Sequence, residues 1–412
     1  MHRIFYRLVL LAALYVTAGC TATHVPVATP VSAPPSVSAP APVAAPVAVP
    51  TPVPALANVV PHIALLLPLK SADLKQAAEI VEQGFMAANK VQPNALPILV
   101  YSCADESKEI AALYQQALAN GARAVVGPLT PAGVAILAAQ PVIPVPTLAL
   151  NRADGKAADK LYFFGLELVD EARQIARLAA AEDLHTASIV STDTPLSKRL
   201  VQAFSDEWKK LGGDIAVIKI FNGDTSIFSE LPAEPGNMVF IASNAEEARR
   251  FRPFLNAVLP VYATSQIFNG NTNMLVNYDL RDVVFVDMPW LLQPDHAAVM
   301  VYPRANPPLE IDMERLYALG IDAYRLLQIM LDSRYRTGLP LDGVTGSIHL
   351  NPNHQFEREA TMAEFKQGLG LTPEALAAIK AANKAEKAED TGRGGENAAA
   401  SAPAASGTLR NP

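Results

Sequence analysis

The sequence predicts an α/β protein of two lobes, each a largely parallel sheet flanked by helices, with the chain crossing between lobes more than once. Three observations lead there. Short apolar runs without alternation, such as Ile63-Ala64-Leu65-Leu66-Leu67, have the pattern of strands buried on both faces. Segments with helical spacing separate these runs, which implies parallel strands joined by right-handed crossovers. Late in the chain, Val283-Val284-Phe285-Val286 and a largely apolar stretch over 311–331 return to the pattern of the first unit after a second series is complete.

In the first unit the strand at 63–67 is followed by a helix through Ala78, Val81, Phe85 and Ala88, then the strand Ile98-Leu99-Val100-Tyr101. A helix around Ile110, Leu113, Tyr114 and Ala117 closes at Asn120-Gly121, where glycine suits a C-cap. The strand Ala124-Val125-Val126 with its turn Gly127-Pro128, a helix near 131–138 and a strand over 146–150 complete the unit. The second series comprises a helix over 168–182, strand 187–191, helix 196–211, strands 215–220 and 238–241, helix 245–256 and strand 260–263. A hairpin-like stretch over 346–351 comes last. The expected division is lobe 1 at 62–163 and 265–340, and lobe 2 at 164–264 and 341–371.

Flanking segments differ in kind. Arg3 and Arg7 precede an apolar run, Leu8 to Val16, that ends in Thr17-Ala18-Gly19-Cys20. A basic start, a short apolar stretch and small residues make residues 1–19 an export signal, too short for a permanent membrane span. The pattern resembles the lipobox of bacterial lipoproteins, with Cys20 as the acylated N-terminus. Several acyl chains hold a protein to a bilayer durably. Thr21 rather than Asp follows, so the resemblance implies an outer-membrane anchor facing the periplasm. Residues 20–61 form a linker in which positions 21–60 hold no Lys, Arg, Asp or Glu, and ten of the chain's 34 prolines fall between 26 and 54. Such spacing favours polyproline II, with a reach on the order of 120 Å at ~3.1 Å per residue. The polar, aperiodic tail over 372–412 reads as disordered.

Composition narrows the chemistry. Half of the 412 residues are hydrophobic, so the body can bury a core, and a net charge of −7 with pI near 5.6 speaks against a nucleic-acid partner. Two cysteines allow no disulfide framework; with Cys20 lipidated, Cys103 stands alone and reads as a buried residue. The sequence carries no G-x-S-x-G, S-x-x-K, H-E-x-x-H, Walker-A or G-x-G-x-x-G motif, and no cofactor or catalytic residue is expected. His349 and His354 lack the i, i+4 spacing of a helical metal site, so none is assigned. Glu246-Glu247 before Arg249-Arg250 reads as a solvated charge set.

Ligands of such sheets bind beyond the carboxyl ends of the strands, here between the lobes. Polar residues cluster there: Lys70 and Ser71, Ser102, Thr130, Asn151, Thr192, Ser243, Ser265 and Gln266. Turns and helix N-caps account for most such residues. The functional alternative is a cleft of hydroxyls, amides and helix N-termini suited to an amino-acid-like anion.

The body resembles type I periplasmic binding proteins and, more closely, the penicillin-binding protein activator family of lipoproteins. The residues that carry this include Ile63-Ala64-Leu65-Leu66-Leu67-Pro68-Leu69, Glu82-Gln83-Gly84-Phe85-Met86-Ala87-Ala88 and Ala124-Val125-Val126-Gly127-Pro128-Leu129. Leu148-Ala149-Leu150-Asn151, Val261-Tyr262-Ala263-Thr264-Ser265 and Asp287-Met288-Pro289-Trp290 follow in order. Arg315-Leu316-Tyr317-Ala318-Leu319-Gly320-Ile321-Asp322-Ala323-Tyr324 and Leu341-Asp342-Gly343-Val344-Thr345-Gly346 end the series. The resemblance implies a non-catalytic activator of peptidoglycan synthesis that contacts a class A penicillin-binding protein. The alternative is a lipid-anchored receptor for an amino acid or similar small ligand. Longer family members carry a helical-repeat domain before the body, where this sequence has its Pro-rich segment, and Tyr101-Ser102-Cys103 departs from the expected Tyr-Asp-Thr.

Overall fold

The computed structural model describes residues 59–153, 158–332 and 339–384; Cys20, the signal segment, most of the Pro-rich linker and the tail beyond 384 lie outside them. Both sheets belong to one compact unit of the chain.

Strand β1 (His62–Leu67) shows how the apolar runs work. It is buried along its whole length because both faces are covered. Ile63, Leu65 and Leu67 pack with Phe85, Tyr324 and Leu327, whereas Ala64 and Leu66 pack with Tyr114 and Leu137 on the other side. Successive side chains point to opposite faces, so a strand between two helical layers must be apolar at every position.

The chain continues through α1 (Lys75–Val91), β2 (Ile98–Ser102), α2 (Glu106–Ala119), β3 (Ala122–Val126), α3 (Pro131–Ala138), β4 (Thr147–Ala149) and β5 (Leu161–Phe164). It then builds α4 (Leu168–Ala181), β6 (Thr186–Ser191), α5 (Pro195–Lys210), β7 (Asp214–Ile220), β8 (Asn237–Ala242), α6 (Ala245–Phe251), β9 (Val261–Ala263), α7 (Met274–Asn277) and β10 (Val283–Asp287). After these come α8 (Pro289–Leu292), α9 (Ala297–Met300), α10 (Ile311–Leu331), β11 (Leu341–Asp342), β12 (Ser347–Leu350), β13 (Gln355–Glu359), β14 (Thr361–Lys366) and β15 (Leu369–Leu371).

One sheet has the order β11-β12-β13-β5-β4-β3-β1-β2 and the other β15-β14-β10-β9-β8-β6-β7. Strands β1 to β5 pair in parallel, as do β6 to β10; the late strands add antiparallel edges at β12–β13 and β10–β14. In the second sheet β8 repeats the logic of β1, with Val239 and Ile241 in one core and Met238, Phe240 and Ala242 in the other.

Helices α1 and α10 lie together on the first sheet, their backbones close enough to demand glycine. A Cβ on Gly84 would sit 2.0 Å from the Tyr317 carbonyl oxygen, and one on Gly320 2.2 Å from that of Val81. The helix over 311–331 therefore packs with lobe 1.

Three expectations need correction. β10 lies in the second sheet, paired in parallel with β9, and not in lobe 1. The hairpin at 346–351 joins the first sheet, where β13 runs parallel to β5, and not lobe 2. The lobes are therefore about 62–164 with 289–359, and 165–287 with 360–384. The chain passes between them after β5, at Met288 and at Ala360. The run of Val283–Asp287 is equally compatible with either sheet, and its neighbours decide. Finally, residues 373–384 are helical where the tail was expected to be unstructured. Leu376 and Ala377 of this helix face the second sheet across a cavity rather than dispersing into solvent.

Candidate functional site

The strand ends place the polar residues picked out by sequence, and most of them turn out to organise the backbone. Thr130 caps α3, accepting from Gly133 N at 3.1 Å ahead of a proline at the first helical position. Ser71 accepts from Leu74 N at 3.3 Å, and the Asn151 amide donates to the Leu129 carbonyl at 3.1 Å. Thr192 shares a hydrogen bond of 2.7 Å with Ser197, and the Ser243 hydroxyl donates to the Asn244 carbonyl at 3.3 Å. The Lys70 amide holds the carbonyl of Cys103, beside the half-buried Ser102.

A cavity of about 500 Å³ opens between the lobes. Of the predicted residues it brings together Ser265 and Gln266, alongside Asn244, Glu171, Arg315 and Arg358. Asn151 lines a separate recess near Arg152 and Glu167. Lys70, Ser71, Ser102, Thr130, Thr192 and Ser243 lie outside the interlobe cavity.

Its strong charges are the part that sequence reasoning missed, and they answer one another across the lobes. Arg315, on α10 of lobe 1, donates to Asp287 at 2.6 Å and to the Ser265 and Phe268 carbonyls at 3.0 and 2.9 Å, all in lobe 2. A second arm reaches Asp312 at 2.6 Å. The Asp287 side chain is 1% exposed and that of Arg315 13%. Burial works against the Arg315 charge, but Asp287 and its companions hold the guanidinium above its ordinary range. Arg358, on β13, pairs with Glu171 of α4, whose other oxygen accepts from Ser265 N at 2.9 Å. Gln174 adds reciprocal bonds to Ala360 at 2.8 and 3.0 Å, clamping the crossing strand.

The signal for these groups was present. Glu171 lies on the face of α4 that carries Ala172, Ile175 and Ala179, and Arg315 stands beside Glu314 in the first turns of a helix whose buried face is largely apolar.

Lobe 1 repeats the arrangement. The buried carboxylate of Glu106 accepts from Leu129 N at 2.9 Å and Thr130 N at 2.7 Å, taking up the donors at the start of α3. Burial nonetheless raises its pKa above the ordinary 4.5, the backbone bonds acting in opposition. Cys103 is wholly buried, its thiol pushed up to about 11 by burial and by nearby Glu106 and Glu109, so it packs rather than reacts.

The two histidines diverge. His349 bonds Glu357 at 3.2 Å, while His354 stacks on Tyr162 at 4.9 Å. Glu247 and Arg250 pair at 3.0 Å on the surface of α6, as the i, i+3 reading expected.

The late turn is fixed from within. Asp322 accepts from Val344 N, Thr345 N and the Thr345 hydroxyl at 3.1, 2.7 and 2.7 Å. This ties the stretch around 322 to the Gly343-Val344-Thr345-Gly346 turn.

Comparison with known proteins bears on this architecture directly. The family model described as "LppC putative lipoprotein" matches residues 38–234 and 232–368. Penicillin-binding protein activator LpoA of Haemophilus ducreyi is 26% identical over 324 residues, 76% of this chain and 54% of that protein. The protein of the same name from Glaesserella parasuis is 28% identical over 318 residues, covering 74% and 54%. The chain thus spans about half the length of these curated relatives.

Among solved structures, full-length LpoA from Haemophilus influenzae matches with TM-score 0.66 and 25% identity over 76% of this chain and 59% of that one. Its C-domain, described as a regulator of PBP1A, matches with TM-score 0.64 and 25% identity over 76% and 99%. A Chromobacterium violaceum structure described as "a putative branched-chain amino acid ABC transporter" is 36% identical, with TM-score 0.64 over 74% and 100%. The fold is that of the two-lobed periplasmic binding proteins, and the family model covers most of the body: the chain belongs to the LppC lipoprotein family and is similar along its body to the penicillin-binding protein activators.

Proposed function

We propose that this protein is a non-catalytic activator of peptidoglycan synthesis that contacts a class A penicillin-binding protein. On this reading Cys20 carries the lipid that anchors it in the outer membrane, facing the periplasm, and the Pro-rich segment supplies reach through the wall. The observation that carries the reading is that backbone donors at strand ends in both lobes, Ser265 N in the interlobe cavity among them, are already taken by the protein's own carboxylates. Glu106 takes the amides of Leu129 and Thr130, and Glu171 takes that of Ser265. A receptor for amino acids needs such donors free for its ligand; an adaptor that works through its outer surface does not. The name of the Haemophilus influenzae C-domain as a regulator of PBP1A supports the same choice.

The receptor reading draws on the 36% identical Chromobacterium structure and its transporter description. Two measurements separate them. Addition of the purified body to a cognate class A synthase raises glycan polymerisation or cross-linking if the adaptor reading holds; no change in rate together with no binding overturns it. Calorimetry with branched-chain amino acids gives flat traces on the adaptor reading. Micromolar binding that weakens in Ser265→Ala supports the receptor.

A further inference from the structure

A cavity of about 590 Å³ lies at the amino ends of β9 and β10, at the other end of lobe 2 from the interlobe cleft. The helix 373–384 forms one side and β9, β10 and β14 the other. Its volume falls in the range of ~300–1,000 Å³ that small-molecule sites occupy. Leu259, Val261, Leu371 and Leu376 make much of its wall apolar.

One group in the wall does not match that lining. α6 ends at Phe251, and Arg252 begins a short turn that carries its side chain inward, where the residue is 8% exposed. Among the described residues the Arg252 side chain makes no hydrogen bond or ion pair, and its buried Nε has no partner. The acids around it are committed elsewhere. Asp282 binds Lys366 at 2.7 Å and Arg281 at 3.4 Å, Glu364 binds Lys366 at 2.6 Å, and Glu182 accepts from the Tyr262 hydroxyl at 3.4 Å. Lys380 adds a second cation at the rim. A buried cation without a hydrogen-bonded counter-charge is unfavourable, and an incoming anion relieves that cost.

We propose that this cavity binds a monocarboxylate with an apolar body, of the class of a medium-chain fatty acid. Its carboxylate sits on the Arg252 guanidinium and its chain lies against Leu259, Val261, Leu371 and Leu376. The guanidinium fork suits a carboxylate's two oxygens, and the apolar wall rewards a chain rather than a small polar anion. The inference does not depend on the synthase reading.

Titration calorimetry on the chain from residue 21 onward, without detergent, tests it with decanoate and the uncharged decanol. The expected result is saturable one-to-one binding of decanoate, at least about tenfold tighter than decanol, as a charged hydrogen bond implies. Arg252→Met, checked for folding by circular dichroism, abolishes that preference. Ala377→Trp, at an exposed position on the cavity wall, blocks both ligands and tests the site even if the first variant does not fold. Equal binding of the two ligands, binding of neither, a preference that persists in folded Arg252→Met, or undiminished decanoate binding in Ala377→Trp would each overturn the proposal.

Discussion

Arg315 and Arg252 are two buried guanidiniums in one folded body, and their surroundings are opposite. Arg315 meets a carboxylate and two carbonyls from the facing lobe, and these bonds hold the lobes together, while its remaining arm pairs with Asp312 on its own helix. Arg252 meets an open chamber whose acids already have partners. The difference separates two uses of one side chain. The first fixes structure across a cleft where a solute would otherwise be expected. The second leaves a charge available at a place where the fold alone gives no reason for one. A buried cation is thus informative about ligands only when its partners have been accounted for.

The sharpest way to break this comparison is Arg315→Met. It strands Asp287 in the interior and should cost about 3–5 kcal/mol in urea unfolding; a loss below about 1 kcal/mol would mean that the clamp carries little. Next comes Arg358→Met. Glu171 keeps the Ser265 amide, so the expected loss is smaller, about 2–3 kcal/mol. Arg252→Met should change sign, raising the ligand-free protein's stability by about 1 kcal/mol because an unpaired charge leaves the interior. Thr130→Ala should cost about 1 kcal/mol as a lost cap and leave synthase stimulation unchanged, which separates capping from ligand binding at that position.

The smallest effect is a pH slope. Glu106 takes up a proton more readily folded than unfolded, since burial raises its pKa above 4.5. The folded state then holds more protons between the two values, and stability falls as pH rises through that window. Glu106→Gln removes the fall, so the wild type's stability relative to the variant is greatest at acid pH and declines toward neutrality. A difference that grows with pH in urea titrations would reverse the assignment.

Much of the fold was legible because it follows from local pattern. A strand covered on both faces has to read like Ile63–Leu67, and Thr130 and Thr194, each ahead of a proline, mark the starts of α3 and α5. Sheet membership was not legible. Val283–Asp287 carries the apolar character of either sheet, and only its register against Val261–Ala263 assigns it to lobe 2. β5 is hard to read because Leu161–Phe164 is four residues long and stands at the expected boundary between the lobes.

The candidate site was half legible. Strand-end polar residues announce the cleft's position, but Ser265 and Gln266 reach its cavity while Thr130 and Ser71 serve the backbone. The pairing of Arg315 with Asp287 joins residues 28 apart in sequence, and no local spacing reports such a contact. The rear cavity was invisible for a related reason. It exists only because the helix 373–384 turns back toward the sheet, and a polar, alanine-rich segment gives little sign of docking.

Strand β1 has a mechanical consequence. The chain enters the body at its first described residues and passes within a few positions into β1, which has a parallel neighbour on each side, β2 and β3. A pull along that strand from whatever lies upstream loads both rows of hydrogen bonds together, so they resist as a set instead of opening in succession. A strand buried along its whole length is therefore also well placed to bear tension.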